Sequence, residues 1–131
     1  MRHIRFLAAL AAFIAPHAAA AQSPAQQALY QSYAAQAPGD AARGKAFFLG
    51  EHTGGKPDTP SCTSCHTTNP AAPGKTRAGK AIEPMAASAT PKRFTDAAEV
   101  EKWFRRNCGD VLGRDCTAQE KSDVLAFLLS L

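Results

Sequence analysis

The residues with the most chemistry in this sequence are Cys62-Thr63-Ser64-Cys65-His66. They spell C-x-x-C-H, the attachment pattern for haem c. Two thiols at this spacing reach the two vinyl groups on one edge of a porphyrin. The next residue then sets an imidazole under the iron. Two thioether bonds hold the cofactor, so a small protein need not hold it by packing alone. Two other chemistries compete for these cysteines. A redox C-x-x-C wants a βαβ context, which the surrounding sequence lacks. A zinc site from Cys62, Cys65, Cys108 and Cys116 would need four reduced thiols. The pattern points to haem, with Cys62 and Cys65 as thioether residues and His66 as the proximal ligand. The other ring nitrogen of a ligating imidazole needs an acceptor, and the carbonyls of Pro70 and Pro73 are within chain reach.

The sixth iron position decides what such a protein does, and three residues compete for it. Met85 would make a low-spin Met/His electron carrier. His52, in the loop before the motif, would make a bis-His carrier. Asn107 is a polar side chain on an otherwise apolar helical face, although an Asn before Cys-Gly also suits a helix end. Lys75, Arg77 and Lys80 follow the motif and could pair with the haem propionates.

Stepping outward, Met1 to Ala21 reads as a secretory signal peptide. Arg2 and Arg5 start it, Phe6 to Ala15 is an apolar run too short to span a bilayer, and Ala19-Ala20-Ala21 offers an A-x-A cleavage site. The mature chain would be a single domain, residues 22–131, with no membrane span after the signal is removed. Of 15 Lys and Arg, Arg2 and Arg5 leave with the signal, against 11 Asp and Glu that stay. That near-balance excludes nucleic acid as a natural partner. Export places all 4 cysteines in an oxidising compartment, the periplasm. An even cysteine count there favours a Cys108–Cys116 disulfide, which would staple the Asn107 helix to the next one and fix Asn107 in space.

The elements that must position these residues are helices. Ser23-Pro24 resembles a helix entry, and good helix formers run from Ala25 to Ala37 before Pro38-Gly39. Asp40 can cap a helix over Ala41 to Leu49 that buries Phe47 and Phe48. Residues 67–93 read as loop, with few strands, and must wrap around something to be ordered. Asp96 opens a third helix with Glu99 as a box-like partner. Val100, Trp103, Phe104 and Asn107 share one face of it, and Cys108-Gly109 ends it. Thr117-Ala118-Gln119-Glu120 is a capping box for a last helix whose Val124, Leu128 and Leu131 line one face. With aromatics at only 8%, a porphyrin plate for Phe47, Phe48, Phe94, Trp103 and Phe104 to pack on helps to build a core. The expected fold is all-α: about four helices and long loops around one covalent haem.

These residues resemble the sphaeroides haem protein (SHP) type of monohaem, high-spin cytochromes c. The resemblance spans nearly the whole mature chain. It rests on Gly-Gly-Lys-Pro-Asp-Thr-Pro-Ser-Cys (54–62), C-x-x-C-H, Thr-Arg-Ala-Gly-Lys (76–80) and Ser-Ala-Thr-Pro-Lys-Arg-Phe-Thr-Asp (88–96). Its most specific part is Val-Glu-Lys-Trp-Phe-Arg-Arg-Asn-Cys with Gly-Arg-Asp-Cys-Thr (100–117). The resemblance implies a class I cytochrome c-like fold, His66 as proximal ligand, Asn107 as distal ligand and a Cys108–Cys116 disulfide. It also implies that Asn107 leaves on reduction and that oxygen or nitric oxide then binds. A dihaem cytochrome c and a membrane cytochrome b are the implied electron donors.

The expected function is that of a monomeric redox and gas-binding haem protein rather than a classical enzyme, with oxygen reduction or nitric oxide chemistry within its reach. The competing expectations are a plain Met85/His66 electron shuttle, a haem enzyme needing a distal acid–base group, and a gas sensor acting through a partner.

Overall fold

In the computed structural model, described over residues 21–131, five helices and one two-stranded ribbon surround a large cavity. The signal-peptide reading falls, apart from Ala21, outside the described residues. Helix α1 (Pro24–Ala34) starts on a complete capping box: Ser23 accepts from the Gln26 N–H, and the Gln26 side chain accepts from the Ser23 N–H. It stops short of Ala37. Helix α2 (Ala41–Leu49) is capped by Asp40, as its sequence indicates. The C-x-x-C-H residues form the short α3 (Thr63–His66). Strands β1 (Gly74–Lys75) and β2 (Ala81–Ile82) then pair antiparallel, Gly74 opposite Ile82.

Helix α4 (Ala97–Leu112) runs past the expected stop at Cys108-Gly109. The reason is burial. Val111 and Leu112 are both buried one turn further on, which outweighs the roughly 1 kcal/mol that a glycine costs inside a helix. The stop is Gly113, whose φ of 69° supplies the left-handed cap. Asp96 caps the other end through the Glu99 N–H. The Glu99 carboxylate does not complete a box, because Lys102 and the Trp103 indole N–H occupy it.

Helix α5 (Ala118–Leu129) carries the complete Thr117/Glu120 capping box. Val124, Leu125, Phe127, Leu128 and Leu129 are buried, but the helix ends before Leu131, which is exposed. Helix α5 crosses α2 closely enough that a Cβ on Gly44 would collide with the Asp123 carbonyl. At the same crossing Asp123 accepts two bonds from the Arg43 guanidinium and one from the Asp40 N–H. The core sits between α1, α2 and α5, and the face of α4 that bears Phe104 closes it. No helix among the described residues is long and apolar enough to cross a membrane.

Candidate haem site

The cavity is about 730 Å³, within the roughly 300–1,000 Å³ of small-molecule sites. Each element contributes to its wall for a sequence-level reason. Helix α2 brings Phe47 and Phe48; α3 brings Cys62, Cys65 and His66. Helix α4 turns its whole apolar face inward, so Val100, Trp103, Phe104 and Asn107 all line the space, as their helical spacing requires. Phe94 completes the five aromatics expected to meet a porphyrin.

His66 is half-buried, and its buried Nδ1 has no hydrogen-bond partner. Its pKa falls to about 4, first from burial and second from the nearby positive charge of Arg93. A neutral imidazole is ready to ligate a metal without shedding a proton. The acceptor expected at Pro70 is not there for it: the Pro70 carbonyl takes the N–H groups of Met85 and Ala86, at 2.7 and 2.9 Å. Burial raises the Cys62 thiol to about 11. A thiol so reluctant to ionise is a poor redox nucleophile. Cys108 and Cys116 form a disulfide, which removes them from any four-cysteine zinc site. Two free thiols and one neutral imidazole on the wall of a cavity lined by aromatics fit one haem c.

The three distal candidates separate. The Nε2 of His52 lies 2.8 Å from the Phe47 carbonyl, its ring packs at a tilt of 45° against that of Phe47, and it does not line the cavity. Met85 does line it, but packs against the cluster of Phe48, Val124, Phe127 and Leu128. The Phe48 ring stands 6.2 Å from that of His66. The Met85 N–H is held on the Pro70 carbonyl. Asn107 sits in mid-helix rather than at a helix end, so it caps nothing.

Of the basic residues expected near the propionates, Arg77 and Lys80 line the cavity and Lys75 does not. Arg77 is paired with Asp58. Sequence reasoning overlooked Arg93, a half-buried guanidinium on the cavity wall. The signal for it was slight: one Arg of a Lys-Arg pair ahead of Phe94. Phe94 itself has a φ of 61°, uncommon for a bulky residue.

Comparison with known proteins agrees with this site. The family described as "Domain of unknown function (DUF1924)" matches residues 34–128. The cytochrome c-type protein SHP of Cereibacter sphaeroides is 56% identical over 124 residues, covering 95% of this chain and 96% of that one. Cytochrome c'' of Methylophilus methylotrophus is 43% identical over 88 residues, 66% of this chain and 61% of that protein. Among solved structures, oxidized SHP, "an oxygen binding cytochrome c", superposes with a TM-score of 0.76 at 59% identity, covering 84% of this chain and 98% of that one. Oxidized cytochrome c'' from Methylophilus methylotrophus superposes at 0.66 with 36% identity, covering 81% and 94%. A C-x-x-C-H helix, a haem-sized cavity and this degree of identity converge: the chain belongs to the SHP family, all-α monohaem cytochromes c with one haem c.

Proposed function

We propose that this cytochrome works in the periplasm, accepts electrons, and in its reduced state admits oxygen or nitric oxide at the iron position that Asn107 vacates. The observation that carries this is the placement of Asn107, a polar side chain on the cavity-lining face of α4, while Met85 packs on a core cluster with its N–H held by Pro70. When bound, the haem supplies one-electron redox chemistry and an open coordination position. Cys62 and Cys65 anchor it, and the neutral His66 holds the proximal side. The Asn107 amide oxygen is a hard, weak donor that suits the ferric ion better than the softer ferrous ion. With haem bound, the side chain would be released on reduction, and its N–H₂ would be free to donate a hydrogen bond to an incoming diatomic. Trp103 and Phe104, on the same helix face, line the cavity and would pack on the haem. That one relative is described as oxygen binding, and another in terms of "Haem-Ligand Detachment", supports both halves of the reading. A dihaem cytochrome c and a membrane cytochrome b serve as donors, and the protein acts as a monomer.

The test is an optical spectrum of the exported holoprotein, ferric and then dithionite-reduced, with and without carbon monoxide. A broad high-spin ferrous band that shifts with the gas is expected. In Asn107→Ala, the ferric spectrum becomes fully high-spin or water-ligated. An unchanged ferric spectrum in that variant overturns the Asn107 assignment. A sharp low-spin ferrous spectrum, indifferent to carbon monoxide, means the Met85/His66 carrier instead.

A further inference from the structure

Arg93 combines three properties that no other cation on the cavity wall shares. It is half-buried and lines the cavity. Burial pushes its pKa down, with Glu83 offsetting only part of the effect. Among the described residues, no carboxylate lies within ion-pair distance of it. Its two bonds go to main-chain carbonyls: Nε donates to Pro84 and Nη2 to Glu83, each at 2.7 Å. A guanidinium has five N–H donors. Both hydrogens on Nη1 and one on Nη2 are left over.

A partly desolvated cation is stabilised by an anion. The neighbouring acids do not serve. Glu83 gives its side chain to Lys92, at 3.2 Å, and its carboxylate acts on Arg93 only from beyond ion-pair distance. Arg77 is already neutralised by Asp58 and is 57% exposed. Lys80 is exposed.

We infer that Arg93 is the anchor for a haem propionate carboxylate, its Nη1 edge donating to the carboxylate while Nε and Nη2 stay on residues 83–84. The inference rests on haem c filling the cavity and not on gas binding, so spectra with carbon monoxide can fail without touching it. The carboxylate and the main-chain carbonyls then share one guanidinium. Arg93 is thereby a positioning residue for the cofactor, as well as the strut of the loop that carries Met85.

Two variants of the holoprotein test this, read by spectroelectrochemical titration and by the propionate bending bands in resonance Raman. In Arg93→Gln the midpoint potential falls, because loss of a nearby cation favours the ferric charge, and the propionate bands shift. In Arg93→Lys the charge remains, so the potential stays close to that of the parent. The bands still shift, because a lysine cannot reproduce the guanidinium fork. Lys45→Gln, on the exposed side of α2 and off the cavity wall, is the control and leaves both readouts unmoved. The Lys variant decides the matter if the Gln variant fails to mature. Unmoved propionate bands in Arg93→Lys overturn the inference. So does a potential that falls equally in both variants, since Arg93 would then only brace the loop.

Discussion

On the cavity wall, burial and then the charge of Arg93 favour the neutral form of His66. The same wall decides the fate of Met85, whose backbone is held on Pro70 and whose side chain fills a core cluster. Met85→Leu, a volume-conserving exchange, should therefore leave the ferrous spectrum and carbon monoxide binding as they are. It should cost less than about 1.5 kcal/mol of stability, measured by thermal unfolding. Loss of a low-spin ferrous form in that variant would instead identify Met85 as a ligand. At this scale the sequence was very legible for Cys62, Cys65 and His66, because attachment chemistry demands adjacent positions along the chain. It was illegible for Arg93. Its importance comes from carbonyls ten and nine residues away, and no spacing rule connects a side chain to those.

Helices α4 and α5 meet at the Cys108–Cys116 disulfide and at the Thr117/Glu120 cap. Replacing both cysteines with serine frees a short loop, and the chain-entropy model assigns this about 2.5 kcal/mol. A matching drop in the unfolding free energy is expected from denaturant titration. Glu120 is held at about 2, chiefly by the bidentate bond from Arg114 and further by the N–H of Thr117. Its folded pKa lies below the ordinary carboxylate value of about 4.3. Its stabilisation is thus complete above the ordinary value and fades as the pH falls through the folded one. Glu120→Gln should flatten the acid-unfolding curve between about pH 4.5 and pH 2. An unaltered slope there would show that the pair adds nothing.

Element starts were well read from sequence, since Ser23, Asp40, Asp96 and Thr117 all cap as their types suggest. Element ends were not. The continuation of α4 to Leu112 depends on what buries Val111 and Leu112, which is tertiary information. Likewise the last helix stops before Leu131, although its apolar spacing continues to that residue.

Across the whole molecule, the frame holding the site is the crossing of α2 and α5. Gly44→Ala forces a methyl group into the Asp123 carbonyl and must push the two helices apart. The expected outcome is a loss of more than about 2 kcal/mol, in the range of overpacked cores, with a lower yield of haem-loaded protein. Near-parent thermal stability would mean the crossing can yield. The all-α class was foreseeable from capping signals and the scarcity of alternation, but this close approach was not. A single glycine within Ala-Ala-Arg-Gly-Lys gives no hint of the backbone that will lie against it.

The segment leading into the haem motif is laced to the end of α4. Lys56 N–H and the Thr59 hydroxyl both donate to the Asp110 carbonyl, and side chains at Gly55 or Gly113 would collide with the backbone opposite. With the disulfide added, the last turns of α4 are clamped on two sides. A distal Asn107 therefore cannot leave by swinging its helix. It would instead turn about its own side-chain bonds, a smaller movement than the shift of a whole helix. Such a shutter opens with little rearrangement of the scaffold and closes as readily. Recapture of the iron by Asn107 would then compete only with rebinding after the gas has left, and the lifetime of the bound gas would still be set by the iron–gas bond.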